Sequence, residues 1–240
     1  GIHFFCKGES QSRLPDELGG LIHLRYLGIA DTNIWNIPSF ISNLQFLQTL
    51  DASGSFFPVR IDLRKLTSLR HVTGKFFGKL LIGEAVNLQT LRSISSYSWT
   101  RLTKHVLLIN LRDLEIWDYD LVTPLDFSSF SKLTKLRVLK LEVKTFKLLS
   151  ESEEAVGFMD VILPSLESLT LVGSSFEEDL MPTFQKFPRL EDLVLRNCHY
   201  PGGKMSISTQ GFGRLKKLNL YTLELQELRI EEEAMPNLME

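Results

Sequence analysis

Apolar residues return along this chain on the template L-x-x-L-x-x-L-x-L, and the copy at Leu133, Leu136, Leu139 and Leu141 fills every slot with leucine. In the first half the same four slots hold Leu21/Leu24/Leu27/Ile29, Leu44/Leu47/Leu50/Ala52, Leu66/Leu69/Val72/Gly74, Leu88/Leu91/Ile94/Ser96 and Leu108/Leu111/Leu114/Ile116. In the second half they hold Leu163/Leu166/Leu169/Leu171, Phe187/Leu190/Leu193/Leu195 and Phe212/Leu215/Leu218/Leu220, with Thr222/Leu225/Leu228/Ile230 a poorer fit. With 43% of residues apolar, four fixed slots would all be apolar by chance about 3% of the time, so the register carries information. The third and fourth slots lie two residues apart, which points both side chains into one face of a strand and their neighbours out of the other. Each ladder therefore predicts one short strand.

Taking the third slot as a ruler gives positions 27, 50, 72, 94, 114, 139, 169, 193 and 218, a mean spacing of about 24 residues that falls inside the leucine-rich-repeat window. So short a unit holds one strand and a turn, with 3₁₀ or irregular backbone on the return path and hardly a full helix. The expected fold is an α/β repeat, a leucine-rich-repeat solenoid (a horseshoe) with a parallel concave β-sheet and a mostly irregular or 3₁₀ convex side. Residues 1–20 read as the end of a preceding repeat, and 21–240 as a solenoid of about nine to ten units truncated at both ends. With Gly1 in place of Met, and Met235-Pro236 opening what looks like another repeat, the expectation is of a fragment. Residues 144–162, with Ser150 to Glu154, read as an acidic loop insertion. Ala52, Gly74 and Ser96 are too small for their slots and leave the third and fourth units weakly anchored.

Two smaller patterns sit at fixed offsets. Three residues past the fourth slot stand Thr32, Ser55, Tyr119, Lys144, Ser174 and Cys198, where many repeat families place an asparagine to bond the turn backbone. Leu14-Pro15 and Ile37-Pro38 stop regular pairing just before Leu18 and Ile41 turn back inside.

Charge and cysteine narrow the setting. The 27 Lys plus Arg against 29 Asp plus Glu leave a net charge of -2, which gives no reason to expect nucleic acid or an anionic membrane as partner. No apolar run approaches the 18 residues or more of a membrane span. Two distant cysteines, Cys6 and Cys198, and the lack of any Asn-x-Ser/Thr acceptor favour a reducing, intracellular, cytoplasmic setting.

The residues offer little chemistry. Histidines 3, 23, 71, 105 and 199 have no metal-ligand spacing. Gly211-Phe-Gly213 and Gly202-Gly203-Lys204 lack the spacing of phosphate loops, and no nucleophile with its base can be assembled. The chain reads as no enzyme, with no catalytic, cofactor or metal residue of its own. What remains is the outward side of the concave strands, free of packing duty: Arg25, Tyr26, Asp31, Arg70, His71, Arg92, Tyr97, Glu115, Trp117, Arg137, Lys140, Glu142 and Arg196 are the candidate partner-binding residues. Mixed charge with Tyr, Trp and Arg is the composition of protein–protein hot spots.

The stretch Leu14-Pro-Asp-Glu-Leu-Gly-Gly-Leu-Ile-His-Leu-Arg-Tyr-Leu27, followed by Asp31-Thr32, Ile37-Pro38, Ile41-Ser-Asn-Leu44 and Leu47-Gln-Thr-Leu-Asp51, resembles the repeat region of plant intracellular coiled-coil nucleotide-binding disease resistance proteins. Phe187-Pro-Arg-Leu-Glu-Asp-Leu-Val-Leu195 and Leu228-Arg-Ile-Glu-Glu-Glu-Ala-Met-Pro236 look like the late-blight resistance branch of nightshades. The resemblance covers essentially the whole chain. It implies an immune receptor that triggers defence and hypersensitive cell death, with a pathogen effector or a guarded host protein as partner. It also implies an upstream nucleotide-binding domain, bound intramolecularly, that exchanges ADP for ATP; none of that domain's motifs has a counterpart here. Rival readings are the repeat half of an F-box substrate adaptor and a cell-surface receptor ectodomain.

Overall fold

The computed structural model describes residues 1–4, 13–83, 85–103, 106–118, 125, 130–144, 163–176 and 179–239. The chain forms two compact units, Gly1–Trp117 and Asp118–Glu240. The first carries β1 (Ile2–His3), β2 (Tyr26–Gly28), β3 (Thr49–Phe57), β4 (Ile61–Asp62), β5 (His71–Phe76), β6 (Leu80–Leu81), β7 (Thr90–Ser95), α1 (Ser96–Thr103) and β8 (Asp113–Trp117). The strands β1-β2-β3-β5-β7-β8 line up in parallel, one per repeat, while β4 and β6 pair on the return path. The second unit carries β9 (Val138–Glu142), β10 (Ser168–Val172), α2 (Met181–Phe184), β11 (Asp192–Arg196), β12 (Lys204–Ile207), β13 (Lys217–Tyr221) and β14 (Glu227–Ile230). There β9-β10-β11-β13 run parallel and β12 pairs with β14.

The buried rungs explain the parallel register. Leu27, Leu50, Val72, Leu91 and Leu114 face one another across successive strands and are all fully buried. In the second unit Leu139, Leu169 and Leu193 form the same buried rung and Leu141, Leu171 and Leu195 the next, while Leu218 and Leu220 of β13 continue both rungs half-buried. Slipping any strand by one residue would turn its leucines to water, so burial fixes the alignment.

One ladder sits differently from the sequence reading. Leu91, not Ile94, is the third rung of its repeat, and Ile94 pairs with Ile116 of β8 after an irregularity at Arg92 and Ser93. Ser93 takes a left-handed backbone, φ 60°, so the strand gains a residue between its two rungs. The template allowed either phase because Leu88, Leu91 and Ile94 are evenly spaced. Similar shifts in β3 and β5 bring in apolar residues further along. Phe57 and Phe76, both buried, stack with ring centroids 5.3 Å apart and fill the room above Ala52 and Gly74. The repeats of Ala52 and Gly74 are thus anchored by aromatic rings two to five residues past the small slots.

The turns at the strand exits are tied as the hydroxyl pattern predicts. Thr32 Oγ1 and Ser55 Oγ both donate to the Ile29 carbonyl at 2.8 Å, and Ser55 Oγ accepts the Thr32 N–H at 3.1 Å. Ser174 Oγ donates to the Val143 carbonyl at 2.7 Å, and Cys198 Sγ lies 3.6 Å from the Leu171 carbonyl. Cys198 is buried, and that burial pushes its thiol up. Two residues past the fourth rung the backbone turns left-handed at Asp31, Gly54, Gly173, Asn197 and Thr222. Gly and Asn tolerate this conformation; a β-branched threonine does so only under strain.

On the return path Pro15 and Pro38 precede 3₁₀ turns at Asp16–Gly20 and Ser39–Asn43, each of which buries one aliphatic, Leu18 and Ile41. The first unit also holds a true helix where the sequence left room for hardly one. In α1, Trp99 and Leu102 are buried three apart, the Ser95 hydroxyl accepts the Ser98 N–H at 3.2 Å, and Ser98 Oγ donates to the Gly78 carbonyl at 2.8 Å. The first bond caps the helix start, and the second ties the helix to the preceding repeat. Thr222/Leu225/Leu228/Ile230 is no ladder of the main sheet: β14 pairs with β12, and Leu228 and Ile230 are 44% and 49% exposed. Met239 N–H does bond the Lys216 carbonyl at 2.9 Å, the contact that opens each repeat. Of the expected loop at 144–162, all but Lys144 lies outside the described residues.

Candidate partner-binding face

The side of each sheet opposite the buried rungs carries the candidate residues, and strand register sorts them into files. In the first unit Tyr26, Thr49, His71, Thr90 and Asp113 stand in one file. Gly28, Asp51, Thr73 and Arg92 stand in the next. Trp117, two residues past the Ile116 rung, pairs with Ser95. Files arise because parallel strands stack equivalent residues about 4.8 Å apart.

Several of these side chains bind one another. Tyr26 OH donates to Asp51 Oδ2 at 3.1 Å and its ring meets His3 at 4.6 Å. Burial pulls the Asp51 carboxyl upward, but bonds from the Ser53 hydroxyl and N–H outweigh it and hold it below the ordinary carboxylate value. Arg92 forks onto Asp113, with Nε at 3.0 Å and a closest contact of 2.5 Å. His71 Nδ1 lies 3.0 Å from Thr90 Oγ1. Burial lowers the imidazole's affinity for a proton, and the adjacent Arg70 charge adds to that.

At the strand exits the first unit presents an aromatic cluster. The Phe56 ring lies 3.8 Å from Phe77, and Phe77 meets Trp117 edge to face at 4.3 Å. Trp117 Nε1 donates to the Ser93 carbonyl at 2.7 Å, which fixes the indole. Phe56 is 48% exposed and the other two rings are half-buried. The sequence reading named Trp117 and missed both phenylalanines. The doublets Phe56-Phe57 and Phe76-Phe77 were the available signal: in an alternating strand, one ring of each pair faces the core and the other faces out.

Two candidates belong elsewhere. Tyr97, assigned to the face on the Ile94 phase, lies on α1 with the Arg101 guanidinium 4.4 Å over its ring. Asp31 sits in the left-handed exit turn, its N–H bonded to the Ser53 carbonyl at 2.7 Å. Arg25 and Arg70 flank the strands at their starts rather than lying within them. Glu115 is half-buried on β8 beside Arg92.

In the second unit Lys140 and Glu142 lie on β9, and Arg196 on β11 reaches over the Tyr221 ring at 5.1 Å. Glu142, Val172, Arg196 and Tyr221 form one file. Arg137, at the start of β9, is engaged by Glu167 at 2.7 Å. Gly202-Gly203-Lys204 forms a 3₁₀ turn running into β12, not a strand-to-helix phosphate loop, and does not fit a nucleotide. Among the described residues no three His, Cys, Asp or Glu side chains cluster to hold a metal, and no helix is long and apolar enough to cross a membrane.

One strand per repeat, buried leucine rungs and a turn ladder define a leucine-rich-repeat protein, and the chain belongs to that family: the leucine-rich repeat region family matches residues 5–157. Its relatives are disease resistance proteins. It is 60% identical over 262 residues to putative disease resistance RPP13-like protein 2 of Arabidopsis thaliana, spanning all of this chain and 30% of that protein. It is 59% identical over 236 residues to disease resistance protein RPP13 of the same plant, spanning 95% of this chain and 28% of that protein. Among solved structures, a leucine-rich-repeat protein of Leptospira interrogans superposes with a TM-score of 0.67 at 16% identity, over 94% of this chain and 56% of that one, a likeness of fold alone.

Proposed function

We propose that this chain is the recognition and autoinhibition module of a plant immune receptor, reading a pathogen effector or a guarded host protein through the outer face of its sheets. The observation that carries the reading is the fixed, half-exposed cluster Phe56–Phe77–Trp117 on an otherwise polar strand face. Aromatic side chains held rigid at a surface are the groups that dominate protein–protein binding energy. Kinship to RPP13-like disease resistance proteins supports the immune setting.

In such a receptor the repeats also hold a nucleotide-binding domain at rest in the cytoplasm. ADP and ATP belong to that domain, and this chain binds neither. Recognition acts by favouring the open receptor over the resting one, since a partner that binds both states equally shifts nothing. The chain itself catalyses nothing.

The test is the full-length receptor bearing Trp117→Ala or Phe56→Ala, expressed in leaf tissue with its effector. The expected result is loss of the cell-death response at unchanged receptor abundance. An undiminished response from both variants would remove this face from recognition.

A further inference from the structure

At each strand start, the residue two before the buried third rung uses its carbonyl to accept two successive N–H groups of the next repeat. In the first unit Arg25 O accepts from Gln48 and Thr49, Gln48 O from Arg70 and His71, Arg70 O from Gln89 and Thr90, and Gln89 O from Arg112 and Asp113, all within 2.8–3.0 Å. Residues 25, 48, 70, 89 and 112 thus occupy one geometric position in five consecutive repeats. Their side chains alternate: Arg, Gln, Arg, Gln, Arg.

The same position in the second unit holds Arg137, Glu167, Glu191 and Lys216, linked by the same carbonyl pattern. There the charges cancel, with Arg137 on Glu167 and Lys216 on Glu191, each at 2.7 Å. In the first unit all three arginines are exposed, and none forms an ion pair among the described residues. Two files over, Arg92 has its own carboxylate in Asp113. The fold can therefore neutralise a cation on this face and does not do so along the rim of the first unit.

We propose that Arg25, Arg70 and Arg112 form a docking strip for an acidic segment of a separate protein partner, lying across the strands. The inference rests on the reading of this face as a protein-binding surface and adds the chemistry of what binds. Alternate strands are about 10 Å apart, close to the roughly 9.3 Å that one three-residue turn of polyproline II backbone covers, so a segment in that conformation would present a carboxylate from every third position to one guanidinium each. Arginine suits the task because its planar fork grips a carboxylate through two hydrogen bonds. Gln48 and Gln89, between the cations, supply donors and acceptors for the segment's backbone amides. A polynucleotide fits less well, because its phosphates recur far more closely than the cations do and the chain is acidic overall, at -2.

The experiment uses the full-length protein and a fluorescein-labelled nonapeptide, Glu-Gly-Gly repeated three times, followed by fluorescence anisotropy at low salt. Expected is saturable binding that weakens at least tenfold in Arg25→Glu/Arg70→Glu/Arg112→Glu and is unchanged in Lys65→Glu, an exposed cation of the same unit away from the strip, with thermal unfolding confirming that both variants are folded. A control peptide with its three glutamates adjacent should bind at least threefold more weakly. Equal binding by the triple variant, equal binding of the control peptide, or tighter binding of an oligothymidylate of equal charge would each overturn the proposal. Trp117→Ala should leave peptide binding intact. If the peptide fails while Trp117→Ala still abolishes the effector response, the acidic strip falls and the recognition face stands.

Discussion

Phe76 lies over Gly74: a β-carbon added to Gly74 would come within 2.9 Å of Phe76 Cζ and 3.1 Å of the Ala52 methyl. The missing rung and the inserted ring are two halves of one packing solution. Phe76→Ala should cost about 3–5 kcal/mol, as a buried phenylalanine does. Gly74→Leu, which perfects the ladder on paper, should also destabilise, by about 1–3 kcal/mol, because there is no space for it. The double variant should be more stable than the sum of the two losses implies, since the new leucine enters the vacated volume. Denaturant unfolding of the four proteins checks this, and strict additivity would speak against the shared cavity.

Thr222 carries a left-handed backbone, φ 51°, at the position where other repeats place Asp, Gly or Asn. The conformation is costly for a β-branched side chain, so Thr222→Asn should stabilise by about 0.5–1 kcal/mol and Thr222→Gly by a similar amount. Gly54→Ala at the equivalent position should do the opposite, because its new methyl would collide with the Asp31 carboxylate. Shifts in the denaturation midpoint give the sign directly.

His71 titrates below its ordinary value, first because it is partly buried and second because Arg70 is adjacent. The folded chain therefore takes up this proton at lower pH than the unfolded chain, whose histidine titrates near pH 6.5. The stability linked to His71 is complete above that value and is lost as pH falls through it toward the folded pKa. Arg70→Gln should raise the His71 titration midpoint and flatten that part of the pH–stability curve. An NMR titration of the imidazole in both proteins measures the effect; a midpoint that falls or stays put would contradict the assigned role of Arg70.

The outer face was legible in part. Strand alternation alone put Tyr26, His71 and Trp117 on one side, because period-two geometry does not depend on neighbours. It could not say that Arg92 and Arg137 are engaged by Asp113 and Glu167 while Arg25, Arg70 and Arg112 are not. Those pairings join residues 21 and 30 positions apart, and only the stacking of repeats brings them into reach.

By itself the sequence determined the repeat, the parallel strands and the hydroxyl-bonded turns, because each follows from spacing within some 24 residues of chain. The tertiary structure decided the phase of the fourth ladder, the helix at Ser96–Thr103 and the side pairing of Glu227–Ile230. In each of these cases local patterns fit more than one arrangement with equal ease. For the ladder and the helix the choice went to the arrangement in which rings and aliphatics from neighbouring repeats fill a common volume, a quantity that no single repeat contains, whereas Glu227–Ile230, exposed throughout, is placed by its backbone pairing with β12.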